Sequence, residues 1–283
     1  MPSLFVTLQH ILPQHLLSRG VGWLAATRIK PVKNLFISRF AQAYDVNMTE
    51  AREENPLAYD SFNAFFTRAL KPGARPVAEG PRTVACPADG AISQIGPISI
   101  DRIFQAKGHD YSVSTLLGGN SDRAMPFIGG QFATVYLSPK DYHRVHMPFT
   151  GRLREMIYVP GDLFSVNTTT AENVGNLFAR NERLVCIFDT AVGPMAVVLV
   201  GAMIVAGIAT VWAGDMAPRA GKHIEVFSYQ HENIVLQKGD ELGRFYLGST
   251  AIVLFGANTV TWPDRLTAGT PVRMGEAFGQ LVS

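Results

Sequence analysis

The amino-acid sequence predicts an α+β protein with a β-rich, sandwich-like body and amphipathic helices at its N-terminus. Apolar residues recur at helical spacing within the first 44 residues, whereas short Val- and Ile-rich runs broken by Gly and Pro dominate from about Val84 onward. At 283 residues and 47% hydrophobic content, the chain is long enough to bury a substantial core. We therefore expect an N-terminal helical region over residues 1–80 and a β-rich domain over residues 81–283.

Residues 1–44 form a basic arm that carries five Lys or Arg residues and no acidic residue. The rest of the chain is consequently net negative, with 20 basic against 23 acidic residues. Pro13 is expected to kink or break the first helical segment. The apolar residues at helical spacing in the arm are Leu4, Leu8, Ile11, Leu12 and Leu16, followed by Phe36, Ile37, Phe40 and Tyr44.

The arm has two interpretations. A basic, amphipathic and terminal segment is typical of helices that lie in an anionic membrane interface. The same pattern fits a pair of helices packed on the body of the protein equally well. No secretory signal is expected, because the first 14 residues contain no Lys or Arg and polar residues interrupt the apolar stretch.

After the arm, the spacing predicts a helix over Ser61–Leu70, with Ser61 as its N-cap and the Gly- and Pro-containing segment Lys71–Pro76 ending it. The apolar face of this helix consists of Phe62, Phe65, Phe66 and Leu70. Two shorter helices are expected around Ser112–Leu117 and Ala171–Leu177. The clearest predicted strands are Phe132–Leu137, Leu184–Phe188, Ala196–Val200 and Ala251–Phe255.

The 25 residues from Thr190 to Gly214 are uncharged, which meets the length criterion for a transmembrane helix. Ten of these residues are Val, Ile or Thr, and glycines and a proline interrupt the run. Two buried strands joined near Gly201 therefore fit this segment better than one membrane-spanning helix.

A short internal repeat favours a folded-over β architecture. Gly239–Gly243 and Gly275–Gly279 share a glycine, an acidic residue and a closing glycine, lie 36 residues apart, and each follow a β-like run. Five residues are too few to prove a duplication, since a tight turn that is used twice explains them equally well.

Ser249 is the most informative residue, because it follows Gly248 and precedes the predicted strand Ala251–Phe255, which would hold it rigidly. Its hydroxyl can attack the carbonyl of Gly248. Elimination from the resulting ester, followed by hydrolysis, leaves a pyruvoyl group at the new N-terminus. This reaction needs a base and a group that orients the base. Alone, however, the segment Leu247–Thr250 is most often an ordinary turn before a strand.

Other segments change this interpretation. Tyr136–Pro148 contains His143 and His146, and Cys86–Gly90 places Asp89 on a turn that ends in glycine. With the sequence around Ser249, these segments resemble phosphatidylserine decarboxylases of the bacterial and mitochondrial type, from about residue 10 to the C-terminus. The other segments that carry the resemblance are Lys107–Ser112 and Tyr158–Asn167.

The resemblance implies an enzyme of phospholipid biosynthesis that converts phosphatidylserine to phosphatidylethanolamine and carbon dioxide. It also implies a proenzyme that cleaves itself between Gly248 and Ser249 into chains 1–248 and 249–283, and a covalent pyruvoyl cofactor, made from Ser249, that condenses with the substrate amine. The arm, residues 1–44, is then expected to bind an anionic membrane surface, which makes the protein peripheral at the cytoplasmic face of the cell membrane. We also expect a homo-oligomer and no nucleic-acid partner.

Individual roles follow from the same resemblance. Ser249 is the nucleophile of the self-cleavage, His146 is its base, and Asp89 is the carboxylate that fixes the imidazole. His143 acts in the decarboxylation, either by contacting the substrate carboxylate or by protonating the carbanion.

Ser165 and Val166 are assigned to substrate binding, where backbone amides and the Ser165 hydroxyl would hold a phosphodiester, although a Gly-containing turn explains the same residues. No metal site is expected, because the histidine pair lacks further ligands at useful spacing. Cys86 and Cys186 give no disulfide framework and suit a reducing compartment.

Three alternatives remain open at this point. A pyruvoyl decarboxylase could act on a soluble amino acid instead of a lipid. A serine hydrolase could use the same triad on other molecules, but the chain has no Gly-x-Ser-x-Gly elbow. A lipoyl-like carrier or binding module would account for the Gly-rich turns but would leave Asp89, His143 and His146 unexplained.

Overall fold

The computed structural model describes residues 4–203, 207–219, 222–246 and 249–282. It confirms a mixed α+β protein, whose body consists mainly of antiparallel strands. The helices are α1 (Leu4–Ile11), α2 (Gln14–Ala26), α3 (Lys30–Ala43), α4 (Phe62–Phe66), α5 (Val113–Leu116), α6 (Ser121–Ala124), α7 (Thr168–Ala171) and α8 (Leu177–Arg180), with 3-10 turns at Pro56–Ala58 and Met125–Phe127.

The strands begin after these N-terminal helices and run to the end of the described chain. They are β1 (Thr83–Ala85), β2 (Gly90–Pro97), β3 (Arg102–Ala106), β4 (His109–Ser112), β5 (Gln131–Leu137), β6 (Arg144–His146), β7 (Gly151–Val159), β8 (Arg183–Thr190), β9 (Gly193–Val200), β10 (Ile208–Thr210), β11 (Gly214–Ala217), β12 (Glu225–Ser228), β13 (Val235–Leu236), β14 (Glu241–Phe245), β15 (Ser249–Phe255), β16 (Val260–Thr261), β17 (Pro271–Val272) and β18 (Ala277–Leu281).

The largest sheet has nine strands in the order β12-β7-β8-β9-β15-β5-β2-β17, with β13 added beside β7. Strand β15 lies inside this sheet, and all seven of its residues are buried. Its apolar side chains alternate between two cores, with Val253 in one and Ile252 and Leu254 in the other. Burial on both faces explains why this strand is a continuous apolar run instead of an alternating one.

All four predicted strands are confirmed, with ends that differ by at most three residues. The uncharged run also forms strands, since β9 ends at Val200 and β10 begins at Ile208. In the part of the chain that the structure describes, no helix is long and apolar enough to cross a membrane.

Two helix predictions need correction. The helix after Ser61 ends at Phe66, because the chain turns at Thr67 and Leu70 pairs with Ala51 in an isolated β-bridge. The segment around 171–177 is not one helix but the connection between α7 and α8, where Asn176 takes a left-handed conformation with φ of 57°. The cap at Ser61 is confirmed, since its hydroxyl accepts the Ala64 N–H at 3.2 Å.

The predicted break at Pro13 is confirmed, since α1 ends at Ile11 and α2 begins at Gln14. Helix α3 packs its aromatic face on α4, where Phe36 stacks on Phe62 with ring centroids 4.2 Å apart. All three helices also leave apolar side chains exposed to solvent: Ile11 of α1 and Trp23 of α2 are each 75% exposed, and Leu35 of α3 is 60% exposed. The other exposed apolar residues of α1, α2 and their junction are Leu8, Leu12, Leu16 and Leu17.

Candidate active site

Ser249 opens β15 in the interior of the largest sheet. Its backbone pairs with Leu137 of β5, and Thr250 pairs with Val200 of β9. The Ser249 side chain is 0% exposed, and its Oγ has no hydrogen-bond partner among the residues that the structure describes. A buried hydroxyl without a partner costs about 1–3 kcal/mol, and the hydroxyls of Thr250 and Thr134 are also without a partner within the described chain. Gly248, the other half of the predicted cleavage site, lies outside the described residues.

Asp89 lies on the turn between β1 and β2, where Gly90 lets the chain pass against β5. A Cβ on Gly90 would lie 2.1 Å from the carbonyl oxygen of Tyr136, so only glycine fits there. The Asp89 carboxylate accepts hydrogen bonds from Met274 N–H at 2.8 Å and from Arg75 Nε and Nη2 at 2.9 and 2.5 Å. These donors fix the position of the carboxylate.

Arg75 was not predicted from the sequence. Its side chain is only 7% exposed, and its Nη2 also donates to Glu50 Oε2 at 2.9 Å. The hydrogen bonds to Asp89 and Glu50 raise the pKa of Arg75, and the bond from Arg75 lowers the pKa of Glu50. Arg75 stands in a Gly- and Pro-containing segment that indicated only a helix end, and no local pattern connects it to a carboxylate 14 residues away.

His146 ends β6 and is attached to the Asp89 turn, because its N–H donates to the carbonyl of Pro87 at 2.8 Å. Its Nδ1 lies 2.8 Å from the Gly239 carbonyl oxygen, and its Nε2 lies 3.0 Å from the Tyr142 hydroxyl. Since a carbonyl only accepts, Nδ1 carries the proton and Nε2 accepts from Tyr142. Burial lowers the pKa of His146, which leaves a neutral imidazole, while the Gly239 hydrogen bond and the charge of Asp89 act in the opposite direction.

His143 is fully buried beside the strand pair that begins at Ser249. Its Nε2 donates to the carbonyl of Ser138, at 3.0 Å, directly after the residue that pairs with Ser249. Its own carbonyl accepts the Phe245 N–H at 3.1 Å. The ring stacks on Phe66 with centroids 4.0 Å apart. Burial lowers the pKa of His143 to about 3, and Nδ1 has no partner within the described chain.

The four predicted catalytic residues therefore form two adjacent groups. The His146 N–H donates to the Pro87 carbonyl in the Asp89 turn. His143 Nε2 donates to the carbonyl of Ser138, which follows the residue that pairs with Ser249. In the described part of the chain, no hydrogen bond joins Ser249 Oγ to either histidine. The contact that sets the His146 tautomer comes from the Gly239 carbonyl and not from the expected Asp89 carboxylate, which bonds to Arg75 and Met274. The role of each residue stays a prediction.

Ser165 and Val166, predicted to bind substrate, lie on the extended segment that follows β7. Val166 is buried in the core. The Ser165 N–H donates to Gln9 Oε1 of α1 at 2.8 Å, and the Ser165 hydroxyl lies 3.5 Å from the Asn167 nitrogen. The Ser165 amide, to which substrate binding was assigned, is thus occupied by the N-terminal arm.

A cavity of about 1150 Å³ opens beside this segment. Tyr158 in its wall donates to Glu182 Oε1 at 2.5 Å, and burial raises the pKa of Glu182. Tyr246, which closely precedes Ser249 in sequence, also lines the cavity and donates to Asp215 Oδ1 at 2.9 Å. The charged lining residues are Arg19, Asp162, Glu182, Asp215, Arg219 and Lys222. The cavity is thus lined by side chains of both charges.

Both cysteines are free and buried, and burial raises the pKa of each thiol. Within the described ranges, no group of three or more His, Cys, Asp and Glu side chains could hold a metal ion.

Comparison with known proteins identifies the family. The family model for phosphatidylserine decarboxylase matches residues 62–280, and a second model, described as PSD, matches residues 4–45. Proteins named phosphatidylserine decarboxylase proenzyme are similar over nearly the whole chain. The Pseudomonas putida F1 protein is 62% identical over 276 residues, which cover 96% of each chain. The Pseudomonas aeruginosa LESB58 protein is 63% identical over 278 residues, which cover 97% of this chain and 96% of the relative.

Proposed function

We propose that this chain, which belongs to the phosphatidylserine decarboxylase family, cleaves itself before Ser249 and uses the new N-terminal group to convert phosphatidylserine to phosphatidylethanolamine and carbon dioxide. The observation that carries this proposal is the buried, unpartnered Ser249 Oγ at the start of β15. The alternatives of a serine hydrolase for other molecules and of a carrier module have no such observation in their favour.

In the self-cleavage, Ser249 Oγ bonds to the carbonyl carbon of Gly248 while the amide bond between the two residues breaks, which gives an ester. Elimination then releases the carboxylate of residue 248 and leaves an unsaturated residue 249. Hydrolysis of that residue releases ammonia and gives the pyruvoyl group. The products are chains 1–248 and 249–283.

We assign the base of this reaction to His146. Its Nε2 carries no proton in the tautomer that the Gly239 carbonyl sets, and its lowered pKa keeps the ring neutral near pH 7. As the imidazole takes up a proton, the negative charge of Asp89 stabilises the cation. Arg75 acts as a positioning residue, because its two hydrogen bonds hold the Asp89 carboxylate in place.

The environment of residue 249 fits a reactive group derived from serine, since two buried polar atoms, Ser249 Oγ and His143 Nδ1, have no partner among the described residues. A pyruvoyl group at this position supplies a carbonyl that accepts the electron pair left when carbon dioxide departs. In the tautomer that the Ser138 carbonyl sets, His143 Nδ1 carries no proton, so it can take one from the substrate ammonium and return it to the carbanion, while Nε2 stays bonded to Ser138.

Intact-mass measurement of the purified protein tests self-cleavage. Wild type should give fragments 1–248 and 249–283 with a blocked N-terminus on the smaller one, and Ser249→Ala should stay full length and inactive. A Ser249→Ala protein cut at the same bond would rule out attack by this hydroxyl. Decarboxylation is measured in parallel as phosphatidylethanolamine formed from phosphatidylserine vesicles.

The two histidine roles are tested with the variant His143→Ala. We expect this protein to be cleaved, to carry a carbonyl that reacts with hydroxylamine, and to lose decarboxylation by about 100-fold or more. The exposed His231, replaced by Ala, is the matched control and should behave as wild type. Cleavage with near-normal turnover in His143→Ala would contradict its role in decarboxylation.

We also propose that the arm holds the protein on anionic membranes, through the apolar side chains that α1 and α2 expose and through surface cations. Lys33, one of the basic residues of the arm, is not such a cation, because it is buried and donates to the Leu57 carbonyl at 2.7 Å. Charge reversal at Arg19, Arg28 and Lys30 should therefore weaken sedimentation with anionic vesicles. Charge reversal without any effect would favour simple packing of the helices. A homo-oligomer stays a prediction.

A further inference from the structure

The extended segment 162–166 presents two backbone amides on one side. The Phe164 N–H donates to Asn181 Oδ1 at 3.1 Å, whereas the N–H groups of Leu163 and Ser165 point to the opposite side, where the arm lies. This alternation is that of an extended chain, in which residues two apart face the same way at a spacing of about 7 Å.

Two glutamines of the arm occupy these amides. Gln14 Oε1 accepts the Leu163 N–H at 2.6 Å, and Gln9 Oε1 accepts the Ser165 N–H at 2.8 Å. The side-chain NH2 groups of the two glutamines form hydrogen bonds as well. Gln14 Nε2 donates to the Gln9 carbonyl at 2.8 Å, and Gln9 Nε2 donates to Thr170 Oγ1 at 3.3 Å. The arm thus offers one carbonyl oxygen to each of the two amides.

The contact combines these hydrogen bonds with the burial of Val6 and the packing of His10 on Phe164, while other apolar side chains on the same helices face water. Gln9 is 1% exposed, whereas Ile11, between the two glutamines in sequence, is 75% exposed. An apolar surface on α1 and α2 gains free energy when it enters a bilayer, and hydrogen bonds to side-chain amides oppose its departure only modestly. A membrane therefore competes directly with this contact for the arm.

Leu163, which carries one of the two amides, lines the large cavity together with Arg19, Arg219 and Tyr246. Tyr246 places one wall of the cavity close in sequence to Ser249. Paired backbone amides near cations are a common way to hold phosphate oxygens. A phosphodiester beside the segment can accept a hydrogen bond from either amide once its glutamine oxygen has left.

We infer that the Leu163 and Ser165 amides form a subsite for the phosphodiester of the lipid headgroup, and that Gln9 and Gln14 form a latch that occupies this subsite until the arm moves onto a bilayer. The inference rests on the proposed function. Because a site that is open for only part of the time has an apparent affinity reduced by that fraction, the latch lowers activity on dissolved substrate and is released on membranes.

The experiment compares decarboxylation of a short-chain phosphatidylserine, kept below its micellar concentration, with decarboxylation in vesicles that contain phosphatidylserine. In the double variant Gln9→Ala and Gln14→Ala, the rate on the dissolved substrate should rise by about five- to ten-fold, and the vesicle rate should change less than about twofold. Gln42→Ala is the matched control, because Gln42 is an exposed glutamine of α3.

A second variant acts in the opposite direction. Gln14→Glu keeps an acceptor oxygen at Leu163 and makes the hydrogen bond charge-assisted, so activity on the dissolved substrate should fall below that of wild type. Inhibition by glycerophosphoserine, a phosphodiester without acyl chains, reports the subsite itself. Its inhibition constant should fall by about five- to ten-fold in the double Ala variant, and inorganic phosphate should show a smaller decrease.

The outcomes separate the latch from the proposed function. Wild-type protein without activity on vesicles would refute the function, whatever the variants do. Active wild type with the same ratio of rates in the double Ala variant would refute the latch alone. The latch is also refuted if the double Ala variant loses activity on both substrates, since the glutamines would then position the segment, or if neither phosphate probe binds better.

Discussion

Two pairs of strands in the body, which we call the first and second strand units, have nearly the same backbone arrangement but different side chains. The first unit consists of residues 83–90 and 273–281, and the second of residues 144–151 and 237–245. In each unit a three-residue strand pairs antiparallel with a strand that follows a glycine turn, and the register shifts at the end of the pair. Gly275 and Gly239 open these turns with φ values of 89° and 90°.

The hydrogen bonds correspond one to one. In the first unit, Cys86 donates to the Glu276 carbonyl at 2.8 Å and accepts from Gly275 at 2.9 Å. In the second, Met147 donates to the Asp240 carbonyl and accepts from Gly239, both at 2.9 Å. The short repeat that the sequence shows is therefore part of a longer structural repeat.

The units also face each other. The Ala85 N–H donates to the Pro148 carbonyl at 2.9 Å, and the His146 N–H donates to the Pro87 carbonyl at 2.8 Å. Such a reciprocal exchange brings equivalent positions of the two units together, as across a twofold axis. Ala85 and His146 occupy equivalent strand positions.

The side chains of the two units differ at several positions, two of which bear on the proposed chemistry. The first unit has Ala85 on the strand and Asp89 on the turn, and the second has His146 and Thr150 at the corresponding positions. Asp89 accepts the Met274 N–H at 2.8 Å, and the Thr150 hydroxyl accepts the Lys238 N–H at 3.0 Å. The same turn contact is thus made by a carboxylate in one unit and by a neutral hydroxyl in the other. The repeated backbone therefore holds the Asp89 carboxylate in the first unit and the proposed base, His146, in the second.

The substitution His146→Ala gives the second unit the strand residue of the first and should have the largest effect. Removing a general base typically costs 10²–10⁴ in rate, so we expect self-cleavage to slow by at least about 100-fold. A time course on a denaturing gel measures it. His146→Ala protein that cleaves at the normal rate, with His143→Ala uncleaved, would exchange the two roles.

The substitution Asp89→Thr gives the first unit the turn residue of the second. It keeps an acceptor for the Met274 N–H but removes the charge beside His146 and the partner of Arg75. Cleavage should slow by about tenfold or more, and thermal stability should fall, because Arg75 keeps only Glu50 as an ionic partner within the described chain. Asp89→Asn, which preserves shape, is the control for size. Cleavage of Asp89→Thr at the wild-type rate would separate Asp89 from maturation.

The sequence predicted the central strands of the body, because apolar runs as short as Ala251–Phe255 that contain β-branched residues favour buried strands over helices. It could not predict Arg75 beside Asp89, or Gln9 and Gln14 on the segment 162–166. Those contacts join residues far apart in sequence through polar atoms that follow no periodicity. The helix after Ser61 was predicted too long for a related reason, since β-pairing of Leu70 overrides its helical spacing.

The dependence of folding stability on pH should also distinguish the two units, because His146 is titratable and Ala85, at the equivalent strand position, is not. Burial lowers the pKa of His146 below its unfolded value of about 6.5, so the unfolded chain binds more protons and stability is lost as the pH falls below about 6.5. In a Ser249→Ala background, which we expect to stay one chain, His146→Ala should make the loss of stability between pH 7 and pH 5 smaller. Urea unfolding at both pH values measures this, and an equal loss in both proteins would place the charge-sensitive group elsewhere.

The smallest effect is expected for Thr150→Ala, which tests whether the turn contact of the second unit is purely structural. The substitution removes the hydroxyl that accepts the Lys238 N–H at 3.0 Å and leaves the strand pairing of β6 with β14 in place. One lost hydrogen bond of this kind costs about 0.5–1.5 kcal/mol, so the midpoint of urea unfolding should fall slightly, while self-cleavage and decarboxylation keep their wild-type rates. A cleavage defect as large as that of Asp89→Thr would mean that the turn contact itself, and not the carboxylate charge, is what maturation requires.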